Sequence, residues 1–340
     1  MNPRSIDPTD PVRLAPTHFA ADTEIASVLR THRTYPVVTF IDNLLVGPSA
    51  WDPNTHLSLR GEYWGNRRRQ RRNLMSLWST LHLKNPLVVW TSNSLEHRVA
   101  LWMLCAWLER AGRKSTDVRL VTLPERKTPH LFVCSGAILH GGEIGPRIEA
   151  AVALPEATRR RAEGLWKKFV DKSPKAFSDQ CQRGLRGFPE VRSVGTYHAG
   201  FFPQYSGTRI AISRFDQVMF ACVSGEWATP VTIFSHRSAE GDFLRNWLSC
   251  AGDIFLSRRL RDWAEHDCDE VALESRPLDL SNPMRSHLYR LTSRGKDIAR
   301  NGLGNISQGP RLAIGGAMAY DPSAPWVIRT TPHKWSMELG

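Results

Sequence analysis

No apolar run in this chain approaches the roughly 20 residues that cross a bilayer, so no membrane-spanning helix is expected. Cysteine is scarce. The six, at positions 105, 134, 181, 222, 250 and 268, are scattered without a C-x-x-C pair, which excludes a zinc ribbon and offers no disulfide framework. Most have apolar neighbours and are expected as buried thiols. Also missing are a nucleophilic serine elbow, a metal triad and any recognisable metal motif. The Gly141-Gly142 stretch fits neither the dinucleotide fingerprint nor the phosphate loop, lacking the lysine of the latter. No metal is therefore expected, and no cofactor is named. The first residues, Met1-Asn2-Pro3-Arg4-Ser5-Ile6-Asp7-Pro8, hold no signal-peptide apolar region, which points to a cytoplasmic protein.

What the chain does have is basic charge. Lysine and arginine total 45 against 33 acids, a formal net charge of +12, which favours polyanionic partners, nucleic acid first. At 340 residues it exceeds one typical core, so two domains are the prior expectation.

Residues 1–12 read as a disordered leader. From 13 to 150 strands and helices alternate: strand 14–20, helix 22–31, strand 37–41, a helical region 58–83, strand 87–90, helix 95–111 and strand 118–123. That order predicts a Rossmann-like α/β domain, a parallel sheet with helices on its faces. A further strand is possible at 131–134. The helical region carries five arginines in six residues, Arg67 to Arg72, which fit either a solvated face or a contact with an acidic partner. Residues 151–204 read as a helical connector. Residues 205–329 form a mainly helical domain closed by the strand Leu288-Tyr289-Arg290-Leu291-Thr292 and a helix over 293–301. That string resembles the wing strand and following helix of winged-helix domains. Residues 310–326 read as a strand, a glycine turn and a returning strand, and 330–340 as a loose tail.

The candidate site follows from the parallel sheet, whose carboxyl strand ends would share one rim. His18, Asp22 and Thr23 stand at the end of the first strand, Asp42, Asn43 and Gly47 at the end of the second, and Ser92 and Ser94 at the end of the third, with Arg60 nearby. His18, Asp22 and Asp42 could supply a general base and its orienting acid. Arg60 could hold an anion, so an anionic small molecule is one expected ligand. The same residues also fit plainer roles as helix caps, turn caps and strand side chains. In the C-terminal half, Arg258, Arg259, Arg261, Arg290, Arg294 and Lys296 are the candidates for nucleic-acid phosphate contact.

Several short motifs carry a family resemblance: His18-Phe19-Ala20-Ala21-Asp22-Thr23, Asp42 to Pro48, Arg60-Gly61-Glu62-Tyr63-Trp64, Val88-Val89-Trp90 and Ser94-Leu95-Glu96-His97. Further on, Arg214-Phe215-Asp216, residues 252–260 and Leu291-Thr292-Ser293-Arg294-Gly295 continue it. Together they resemble the bacterial family called domain of unknown function 1835, with its C-terminal companion domain. The sequence departs from that family's Gly-Asp-Ser in having Ala21-Asp22-Thr23. The resemblance implies a fold and no established activity. Two functions stay open: a small-molecule-binding α/β domain coupled to a basic winged-helix-like module that engages nucleic acid, or an enzyme acting at the strand-end cleft on a small polar or phosphorylated substrate. In the second, the C-terminal domain would be a lid or an oligomerisation element.

Overall fold

The computed structural model describes residues 15–32, 36–39, 42–65, 68–83, 85–124, 139–266, 270–331 and 335–340, with the side chains of 68–74 not described. The expected leader, the expected strand at 131–134 and the side chains of the arginine run lie outside the described residues.

The chain begins as strand β1 (Thr17–Ala20), helix α1 (Thr23–His32), β2 (Val37–Thr39), a short β3 (Gly47–Pro48), α2 (Pro53–Tyr63) and α3 (Arg68–Leu81). It continues as β4 (Leu87–Thr91), α4 (Leu95–Arg110), β5 (Val118–Thr122), α5 (Ile144–Glu149), β6 (Val152–Ala153), α6 (Glu156–Phe169), α7 (Lys175–Arg183) and α8 (Val191–Ala199). The hairpin β7 (Gln204–Ser206) and β8 (Arg209–Ala211) leads to α9 (Arg214–Cys222), α10 (Pro230–Phe234), α11 (Ala239–Ala251) and α12 (Asp253–Ala264). Then come β9 (Leu273–Pro277), β10 (His287–Leu291), α13 (Ser293–Asn301), β11 (Leu312–Gly315), β12 (Ala317–Ala319), β13 (Trp326–Thr330) and β14 (Trp335–Leu339).

This is a mixed α/β protein built on a five-stranded sheet of order β2-β1-β4-β5-β6. The first four of these strands are parallel, and β6 closes the edge antiparallel. Both faces of the sheet are covered, as parallel sheets require. Ala20, Val88 and Trp90 pack on one side with Ile25 and Leu29 of α1. Phe19, Leu87 and Val89 face the larger core on the other side. That larger core is continuous from Phe19 to Met337. Helix α6 packs along α4, and β3 pairs parallel with β11 from the other end of the chain.

Three local expectations change. The single helical region 58–83 is two helices: Asp52 caps α2 by accepting from Thr55 N at 2.9 Å, and Gly65, at φ +69°, stands beyond its end. Residues 335–339 of the expected loose tail form β14, which pairs antiparallel with β13, and Met337 is buried between Ser336 and Glu338, whose side chains point to the other face. Cys105, Cys181 and Cys222 are buried free thiols, but Cys250 is disulfide-bonded. Elsewhere Ser213 caps α9, accepting from Asp216 N at 3.1 Å, with Asp216 at the third helical position as in a capping box. No helix among the described residues is long and apolar enough to cross a membrane.

Candidate functional site

In the parallel sheet the chain leaves β1 for β2 on one side, then crosses back to β4 on the other. Loops leaving β1 and β4 therefore diverge at their carboxyl ends, and the crevice between them is where open α/β sheets receive ligands. A cleft of about 260 Å³ opens there. Ala21, Asp22 and Thr23 line it after β1, Asp42 and Asn43 after β2, and Glu96 and Ala100 from α4. Trp64 forms one wall, and Ala251 to Ile254, the junction of α11 and α12, form the opposite one. Gly252, at φ +81°, turns the chain between those two helices beside the Asn43 amide.

Asp42 and Arg60 form the frame of this rim. Both are buried. Arg60 Nε donates to Asp42 Oδ2 at 2.7 Å, and Nη2 donates to Oδ1. The guanidinium also donates to the Val46 carbonyl at 2.6 Å and the Asn43 carbonyl at 2.8 Å. One helical turn on, Trp64 Nε1 donates to Asp42 Oδ1 at 2.9 Å. One guanidinium thus fixes the path of residues 43–46 leading into β3. Gly47 completes the turn at φ +79°, where an added Cβ would lie 2.6 Å from the Tyr63 ring and 2.7 Å from Arg60.

The same device recurs in the second half of the chain. Arg259 Nε and Nη2 hold Asp216 at 2.8 Å each, Trp263 Nε1 donates to it at 2.9 Å, and Arg259 Nη1 donates to the Pro310 carbonyl. Tyr320 and Ser213 hydroxyls add two further donors to Asp216. Burial pushes the Asp216 carboxyl upward, but Arg259 and these donors outweigh it and hold the group below its ordinary value. Arg258, the neighbour of Arg259, lies over the Tyr63 ring at 3.9 Å and donates to the Tyr63 carbonyl. It joins the two clamps across the halves.

The expected site residues separate on this geometry. Asp22, Thr23, Asp42 and Asn43 meet in the cleft. His18 does not line it: it lies fully buried within β1, with Trp90 Nε1 donating to its Nδ1 at 3.0 Å and the rings stacked. Arg60 is buried behind the rim and its guanidinium is occupied by the protein's own acceptors, so an anionic ligand finds no arginine there. Ser92 and Ser94 are buried under the rim, and Gly47 lies in β3.

Of the expected phosphate contacts, Arg259 is fully buried in its ion pair, and Arg258 is engaged on Tyr63. Arg290 is paired with Glu274 and Arg294 with Asp297. Arg261 is half-buried beside Tyr289, and Lys296 is exposed.

Every ionisable side chain lining the cleft among the described residues is an acid: Asp22, Asp42, Glu96 and Asp253. Arg60 cancels Asp42. Three helices, α1, α4 and α12, start at this rim, and their amino-terminal ends amount together to about +1.5 charges. Asp22, Glu96 and Asp253 complete the charged lining, so the ionisable groups of the cleft are acidic. No metal-holding group of three or more donors occurs among the described residues. No protein-family model matches the chain, and no curated protein is significantly similar to it.

Sequence reasoning did not select Trp64, Glu96, His97 or residues 251–254 as site residues. His97 lies under the rim with Nε2 3.1 Å from Asp22 Oδ2, and its Nδ1 is 2.9 Å from Ser92 Oγ. The signal for it was position: it stands in the first turn of the helix that follows a central strand.

Proposed function

We propose that this cleft binds a small polar molecule that presents hydrogen-bond donors, an ammonium or several hydroxyls, to Asp22. The observation that carries this reading is the all-carboxylate charged lining at the point where the strand order reverses. An ionised carboxylate only accepts hydrogen bonds, so the ligand must donate them. Trp64 offers an indole beside the acids, a surface suited to an aliphatic ammonium. The ligand is thus a donor, which replaces the anion expected when Arg60 is counted as free.

We extend the proposal to the architecture around the cleft. The N-terminal sheet is read as Rossmann-like, supported by its parallel strands and its strand-end crevice. The C-terminal half is read as winged-helix-like, supported by the β9–β10 hairpin, the Ala228–Tyr289 bridge that lengthens it, and α13 behind it. Its role here is to wall the cleft through residues 251–254. A nucleic-acid partner draws less support, since of the six proposed contacts Lys296 is the one exposed cation without a described ion pair. The likeness to domain of unknown function 1835 is carried forward within the same proposal.

Three isosteric probes test it: 1,4-diaminobutane, 1,4-butanediol and succinate, of equal chain length but with ammonium, hydroxyl and carboxylate ends. Ligand-observed NMR is expected to detect the diamine, to detect the diol more weakly, and to find no succinate binding. Asp22→Asn should weaken the diamine by about tenfold, the scale of a hydrogen bond to a charged group. Binding of succinate in preference to the diamine, or a diamine affinity untouched by Asp22→Asn, refutes the proposal.

A further inference from the structure

Behind the rim runs a chain of side-chain contacts that neither helix capping nor core packing requires. Asp22 Oδ2 meets His97 Nε2 at 3.1 Å, and His97 Nδ1 meets Ser92 Oγ at 2.9 Å. Ser92 Oγ in turn lies 3.0 Å from Ser94 Oγ and accepts from Ser94 N at 3.1 Å. Asp22 uses its other oxygen, Oδ1, on Ile25 N at 2.7 Å, so the carboxylate is held at both ends.

The residue types are those of a hydrolytic triad, but the order in space is inverted. In a triad the serine meets the substrate, the histidine takes its proton, and the acid is buried behind. Here Ser92 is fully buried and His97 is 3% exposed, whereas the Asp22 side chain is 28% exposed and lines the cleft. A buried Ser92 cannot attack a ligand in the cleft. The chain therefore acts outward on Asp22.

We infer that His97 is a positioning residue: anchored by Ser92, it fixes the Asp22 carboxylate so that its exposed edge faces a ligand donor in the cleft. The inference rests on the ligand-binding reading above and names the means by which that site is kept in register. A carboxylate free to rotate loses orientational entropy on binding; one held from both sides has lost it already. Ser92 is suited to the anchoring role because it follows β4, a central strand of the sheet whose residues are all buried.

Two substitutions at one position separate positioning from simple packing. In His97→Gln the amide nitrogen falls near the place of Nε2 and keeps the donor to Asp22. In His97→Asn the amide falls near the place of Nδ1, keeps the contact with Ser92 and abandons Asp22. With 1,4-diaminobutane as the probe, His97→Gln should bind within about threefold of the parent, and His97→Asn should bind about tenfold more weakly. A role in packing alone moves both variants together. Equal affinity in all three proteins overturns the inference and leaves the ligand reading intact.

A ligand-free measurement covers the case in which His97→Asn does not fold or the probe binds none of the proteins. The hydrogen-bonded imidazole proton on Nε2 should give an exchange-protected resonance downfield of the amides in the parent protein, and it should vanish in Asp22→Asn. Its absence from the parent, or its persistence in Asp22→Asn, overturns the inference whatever the probe does.

Discussion

Replacing Asp42 by Asn tests the frame of the rim. The amide fills the same space but leaves Arg60 charged, buried and without its counter-ion. Removing one partner of a buried ion pair costs about 3–5 kcal/mol, most of it the exposure of the remaining charge to a medium that cannot solvate it. With a urea dependence of ~3 kcal/mol per M, the unfolding midpoint should fall by about 1 to 1.7 M with an unchanged slope. The companion variant is Arg60→Met, and the decisive protein is the double variant. Once both charges are gone, the penalty on the survivor goes with them, so the double variant should be more stable than Asp42→Asn alone. It should still be less stable than the parent, because the guanidinium bonds to Val46 and Asn43 are lost with the charge. Urea titration followed by far-UV circular dichroism gives all four corners of the cycle. If Asp42→Asn costs less than about 1 kcal/mol, or if the two single losses simply add in the double variant, Asp42 is not the buried counter-ion described here.

Gly47→Ala forces a side chain into left-handed backbone and sets its Cβ against Tyr63 and Arg60, so a loss of about 3 kcal/mol is expected in the same titration. His56 and His198 are buried, and burial pushes both down to about 3, aided at His56 by the nearby Arg60 charge. A histidine whose folded value lies below its unfolded one stabilises fully above about pH 6.5. It loses that contribution, at about 1.4 kcal/mol per pH unit, as pH falls toward 3. The melting temperature should therefore drop between pH 7 and pH 5. His198→Phe, set among Phe169, Phe177 and Phe202, should remove roughly half of that dependence; an unchanged pH profile in scanning calorimetry refutes the assignment.

Alternation of buried runs with amphipathic segments was enough to place β1, β2, β4 and β5 and the helices α1 and α4 among them. Periodicity and capping are local properties of the chain, and Ser213 with Asp216 three residues on is legible at that level. The rim itself was legible for the same reason. Residues that follow parallel strands must emerge on one edge of the sheet, so Asp22 and Asp42 could be brought together from sequence alone. What each residue does there was not legible. Arg60 reads as a free cation until the fold brings Asp42 and the carbonyls of 43–46 around it. His18 and Ser92 read as site residues until the pleat and the buried strand end turn them inward. Arg259 reads as a surface phosphate contact until Asp216, 43 positions earlier, takes both ends of its guanidinium. Strand β14 and the β3–β11 pairing depend on partners that sequence separation hides. Local sequence determined the elements and the order of their ends; the sign of the cleft, and which charges are left to meet a ligand, came from long-range pairing that only the tertiary structure could decide.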